Sequence, residues 1–246
     1  MLDIKKIRDW YHTGAGSLVA APIEQSLWEV TSCVFGYVAV EIGHVFEGYD
    51  LLKNCTIQQK VLIDHSDLAN IHASPTALPI ESDSIDLFLL PHTLDFDDKP
   101  HEILREVERC LVAEGHLIVI GFNPISFYGL WKLTLARKKI TPWDAEFYTV
   151  KRIRDWCSLL GFEEVDLKYA AHLPPFKRMQ RWKRMQSINK LMQKHLTSFG
   201  GIYIFVARKR VARLTPLERV WPTTSPILAG EVPKPTARLH DNVRHR

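Results

Sequence analysis

The sequence predicts an α/β domain of three layers, with helices on both faces of a doubly wound, mostly parallel sheet. Three observations carry that prediction. Short apolar runs alternate with helical stretches from residue 37 to residue 207, the order that builds a parallel sheet with crossover connections. The runs LFLL (87–90) and HLIVIGF (116–122) are apolar at successive positions, as inner strands covered on both faces must be. A chain of 246 residues that is 46% hydrophobic and 10% aromatic also has ample material for a packed core.

Taken in order, residues 4–11 and 22–34 read as helices, the second with Leu27, Val30 and Val34 at three- and four-residue spacing. Strands are predicted at 37–42, 60–63, 85–90, 116–122, 164–170 and 201–207, and helices at 100–112 and 150–160. Pro100 suits the first turn of its helix, and Gly115 suits the turn into the following strand. This divides the chain into N-terminal helices (1–34), an α/β domain (35–210) with a basic helical insertion at 174–197, and a basic tail (211–246). Only nine residues separate Asp64 from Ser74, too few for a full crossover helix, so the second crossover is expected to be shortened.

Charge and cysteine usage narrow the function classes. The formal net charge is +4, but residues 207–246 hold nine Lys/Arg against three acids and five of the fourteen prolines. The rest of the chain is then close to neutral, and the end reads as a solvated basic tail. The four cysteines are widely spaced, without the clustering of a zinc site or redox pair. No apolar run reaches the length of a membrane span, and a cytoplasmic location is expected.

The stretch from Ser74 to Pro124 is the most informative. Leu78, Pro79, Ile80, Ser84, Ile85 and Asp86 precede one strand; His92, Leu94 and Asp97 or Asp98 follow it; Leu104, Arg105, Glu106, Arg109, Leu111 and Gly115 lead to the next. These segments closely resemble the class I S-adenosylmethionine-dependent methyltransferases of the type 11 group. The resemblance is specific over about 50 residues and looser across 35–207. It implies a seven-stranded Rossmann-like sheet, S-adenosylmethionine as cofactor and methyl transfer as activity. Two glycines are expected before the fifth strand. Glu114 stands where the first should be and Gly115 at the second.

The segment VEIGHVFEG (40–48) resembles the family's cofactor loop, but Val45 and Glu47 stand where two further glycines are expected. A β-branched residue at positive φ would cost roughly 1–2 kcal/mol on the family's backbone path, so the loop is expected to be rerouted. The resemblance places the cofactor across Glu41, Gly43, His44, Val45, Asp64, Ser74, Ala77, Leu78, Pro91 and His92. Asp64, 23 residues after Glu41, matches the acid that accepts hydrogen bonds from the ribose hydroxyls.

Methyl transfer from a sulfonium is an in-line displacement that needs orientation more than covalent catalysis, and a base only where the acceptor loses a proton. His92 is the candidate base, at the carboxyl end of a strand where ligands of such sheets sit. Asn123 and Tyr128 are candidate acceptor contacts, as are Arg181 and Arg184 in the basic helix. That helix carries seven Lys/Arg and no acid, with Phe176, Met179, Trp182, Met185, Ile188 and Met192 along one stripe. LLPHTL follows the strand in place of the Asn/Asp-Pro-Pro-Tyr/Phe segment of base-amino methyltransferases, which favours a small or lipid-like acceptor over nucleic acid. The alternative is a methyltransferase-fold protein without catalysis that binds RNA or an anionic surface through the basic helix.

Overall fold

The computed structural model describes residues 4–46, 48–65, 69–135, 143–173 and 196–210. The basic insertion from 174 to 195, with Arg181 and Arg184, and the tail from 211 lie outside these residues.

Two helices, α1 (Ile4–His12) and α2 (Gly14–Thr31), lead into a sheet of β1 (Val38–Ile42), β2 (Gln59–Ile63), β3 (Ile85–Pro91), β4 (Leu111–Phe122), β5 (Phe162–Ala170) and β6 (Ile202–Lys209). Helix α3 (Pro100–Cys110) enters β4, and α4 (Phe127–Leu135) and α5 (Val150–Leu159) lie between β4 and β5. The strand order is β2-β1-β3-β4-β6-β5. The first four strands are parallel, and β6 runs antiparallel to both β4 and β5.

Six strands are found among the described residues, where seven were expected. The third position is held by an isolated parallel bridge between Ile63 and Ile71. The cause is the short connection after β2: with so few residues before Ser74, the chain touches the sheet edge and turns back through the Ser74–Ala77 bridge.

The sheet separates two apolar layers. On one side α1, α2 and the 45–57 segment pack on Ala39, Leu87, Leu89, Ile118 and Ile204. On the other, α3 and α5 cover Val40, Phe88, Leu90, Val119 and Phe205. Helix α2 begins eight residues earlier than predicted. Thr13 caps it by accepting from Gly16 N, and the helix runs through Pro22. A Cβ on Gly16 would meet Trp10 O at 2.3 Å, so this glycine permits the close elbow between α1 and α2.

Several family-motif residues turn out to hold loops. Asp86 Oδ2 accepts from Tyr37 N (2.8 Å) and Val38 N (3.0 Å), fixing the start of β1. Glu106 accepts from Leu78 N (3.1 Å), and Arg109 donates to Ile80 O (2.9 Å) and Leu78 O (3.2 Å). Glu114, at the first glycine position of the family turn, adopts φ +64° and pairs with Arg210 at 3.1 Å.

Candidate functional site

The carboxyl ends of β1, β2 and β3 meet at one place. Gly43 leaves β1 with φ +86°, a conformation that glycine enters without steric cost, and its N–H donates to Ile63 O at 2.8 Å. Thr93, after β3, donates its hydroxyl to Ile42 O at 2.5 Å. Among the described residues of the loop, positive φ next occurs at Gly48 and not at Val45. The side chains of Val45 and Phe46 point into the core with α1 and α2, so Val45 escapes the expected strain.

Glu41 is buried, and burial raises its carboxyl pKa; the ring of His44, 3.4 Å away, opposes that rise. The hydrogen bond to Glu41 in turn raises His44. Both residues border a cavity of about 430 Å3, with Tyr49, Asp50, Lys60 and Asn70 on its other walls. That volume falls in the range of small-molecule sites, roughly 300–1,000 Å3. A histidine raised in the folded state contributes stability that is complete below its unfolded pKa and lost as pH rises through the folded one. The stability deficit of His44→Gln should therefore be largest near pH ~6 and shrink toward pH ~8 in urea titrations.

Asp64, buried at the end of β2, accepts from Arg8 Nη2 at 2.5 Å and from His65 N at 2.7 Å. Arg8 Nε also donates to His44 O at 2.6 Å. A single arginine of α1 thus joins the backbone of the loop after β1 to the acid at the end of β2. Ser74, Ala77 and Leu78 lie on the segment beyond Ile71. Ser74 Oγ meets Thr76 Oγ1 at 2.9 Å, and Leu78 is packed with Ile42 and Ile63.

Pro91 ends β3, and His92 follows with φ +57°. A non-glycine residue in this region carries strain that often marks functional positions. His92 is 1% exposed. Its Nε2 is 2.8 Å from Tyr11 Oη, and its Nδ1 is 2.9 Å from Asp95 Oδ2. The same Asp95 oxygen accepts from Phe122 N at 3.0 Å. Burial pushes the Asp95 carboxyl up, opposed chiefly by its bond to His92, and burial also raises Tyr11 strongly. The imidazole stacks on Phe122 at 4.2 Å, which stacks on Phe147 at 4.9 Å.

Tyr128 is fully buried near this stack, 6.3 Å from Phe122, and its hydroxyl has no hydrogen-bond partner among the described residues. Asn123 is committed to the backbone. Its amide donates to Ser198 O and Gly200 O, and its oxygen accepts from Ile125 N.

The sequence pointed to His92 and Asp64 but missed Arg8, Tyr11 and Asp95. Arg8 and Tyr11 come from a helix 56 and 81 residues distant, a separation that no local pattern signals. Asp95 had a local signal, an acid three residues after His92, but the family pattern directed attention to Asp97 and Asp98. Asp97 instead accepts from Lys99 N at 2.8 Å, just before α3.

The comparisons with known proteins agree with this architecture. A family profile described as a methyltransferase domain matches residues 33–119. The chain is similar to the uncharacterized protein YafS of Escherichia coli K12, with 32% identity over 207 residues covering 84% of this chain and 82% of the relative. Among solved structures it resembles a Thermotoga maritima S-adenosylmethionine-dependent methyltransferase, described as a possible histamine N-methyltransferase. The TM-score is 0.60 at 20% identity, over 84% of this chain and 96% of the other. An S-adenosylmethionine-dependent methyltransferase from Archaeoglobus fulgidus gives a TM-score of 0.53 at 15% identity, over 78% of this chain and 94% of that one.

Proposed function

Because the chain belongs to the class I S-adenosylmethionine-dependent methyltransferases, in the type 11 group, we propose that it methylates a small or lipid-like acceptor that loses a proton in the reaction. The observation that carries this reading is the buried Tyr11–His92–Asp95 chain at the end of β3. Methyl transfer to an ionised acceptor or to the lone pair of a neutral amine needs no base in the transfer step, whereas a hydroxyl acceptor, or an amine that must shed its proton in the site, is served by one. A histidine whose second nitrogen is held by a carboxylate is suited to that task, since the carboxylate fixes the ring and stabilises the proton it takes.

The residues at the ends of β1 and β2 suit the cofactor. Gly43 brings backbone close without a side chain, Asp64 offers carboxylate oxygens to paired hydroxyls, and the cavity beside Glu41 and His44 has the volume of a small-molecule site. When bound, the cofactor supplies a methyl group on a sulfonium. Asp64 would hold the ribose, and Glu41 and His44 would border the adjoining cavity. His92 would receive the acceptor proton at Nε2, and Asp95 would keep Nδ1 in place. The rings of Phe122, Phe147 and Tyr128 make the surroundings apolar, which excludes water and strengthens the electrostatic contacts.

One observation favours the lipid-like members of this acceptor class. An apolar groove of about 510 Å3 runs along α4, walled by Ile125, Leu130, Leu133 and Phe147. Phe147 on its wall also stacks on Phe122, which stacks on His92.

Titrating S-adenosylhomocysteine into the wild type and Asp64→Ala tests the cofactor half of the proposal. The variant should bind at least about tenfold more weakly, the effect of losing charge-assisted hydrogen bonds of roughly 1.5–3 kcal/mol. Equal affinities would remove Asp64 from the site.

A further inference from the structure

Helix α1 holds both halves of the candidate site at once. Arg8 and Tyr11 are three residues apart and so share one face of the helix. Arg8 is bound to Asp64 and His44 O, and Tyr11 to His92 Nε2. The first contact engages the carboxylate assigned to the ribose, and the second engages the nitrogen assigned to the acceptor proton. In this arrangement neither group is available to a ligand in full: the Asp64 side chain is 4% exposed and that of His92 is fully enclosed.

Resting on the methyltransferase reading above, we propose that Arg8 is a positioning residue through which the cofactor controls the base. Ribose hydroxyls and the Arg8 guanidinium compete for Asp64. When the ribose takes Asp64, Arg8 is released, α1 loses its tie to the β2 end, and Tyr11 withdraws from His92. The base then faces the acceptor only after the methyl donor is in place.

The geometry of α1 suits such a movement. It has nine residues, too few for an isolated helix to be stable on its own, so its position depends on what it touches. Thr13 is the single residue between α1 and α2, and the space around the next residue, Gly14, is open. The helix is also pinned by apolar burial of Ile7 and by Tyr11 against Phe46, with ring centroids 4.2 Å apart. The withdrawal is therefore a local shift of the helix and not its unfolding.

The test uses the full-length protein and S-adenosylhomocysteine, with calorimetry and hydrogen exchange of the 4–12 segment. Arg8→Ala should bind about tenfold tighter than wild type, because the competitor for Asp64 is gone. That gain should vanish in the Asp64→Ala background, since the two residues act through one contact, and Arg8→Lys should fall between wild type and Arg8→Ala. In the wild type the ligand should speed exchange across 4–12, and Arg8→Ala should exchange quickly there even without ligand. If the wild type binds but Arg8→Ala binds equally or more weakly, or if the ligand slows exchange of 4–12, the proposal falls and the methyltransferase reading stands. If neither protein binds at about 1 mM ligand, the cofactor reading falls, and this inference with it.

Discussion

Replacing Asp95 with alanine should lower the unfolding free energy by about 2–6 kcal/mol, roughly 1–3 kcal/mol for each of two buried groups that would lose their acceptor. Asp95 Oδ2 serves two neighbours, His92 Nδ1 at 2.9 Å and Phe122 N at 3.0 Å. Both are buried, so the truncated site would leave two polar groups without a partner or water to replace it. Asp95→Asn retains an oxygen for Phe122 N and should lose about 1 kcal/mol. Urea denaturation of the two variants checks this. Comparable losses would mean that the carboxylate charge, and not the acceptor oxygen, holds the site together. A loss below about 1 kcal/mol in Asp95→Ala would mean that water enters and replaces the carboxylate.

His92→Asn should reduce methyl transfer by roughly 100- to 10,000-fold, the usual contribution of a positioned general base. Asparagine is the appropriate substitute because it tolerates the left-handed backbone that His92 adopts at φ +57°. The backbone should therefore keep its fold and its affinity for S-adenosylhomocysteine, with a loss of stability in urea because Asp95 and Tyr11 lose their imidazole partner. The assay supplies methyl-labelled S-adenosylmethionine with a panel of phenols, amines and long-chain amphiphiles, and compares the variant with wild type on any acceptor that is labelled. A fall of less than about tenfold would show that His92 packs beside the acceptor without moving its proton.

The sheet was legible because its signals are local. Doubly apolar β3 and β4, Pro100 at the start of α3 and the short run from Asp64 to Ser74 each announced their structure. The shortened crossover followed from chain length alone, although the reduction of the third strand to a single bridge at Ile71 did not. Helix α4 was not among the predicted elements; Pro124 precedes it, and Ser126 Oγ accepts from Tyr128 N at its start.

The site divided along the same line. His92 and Asp64 stand at strand ends, where both the fold and the family pattern direct attention. Arg8 and Tyr11 reach them only through tertiary packing of α1. The glycine-poor loop was readable as a departure but not as a path. Val45 keeps out of the left-handed region by turning its side chain into the core, and that choice depends on the space α1 and α2 leave for it.

The most direct test of the account is calorimetric titration of the full-length wild-type protein with S-adenosylhomocysteine. Saturable one-to-one binding with Kd of about 1–100 μM is the predicted result, and would show that a cofactor loop lacking two of its glycines still works. No heat of binding at about 1 mM ligand would contradict it and leave a methyltransferase fold without its cofactor.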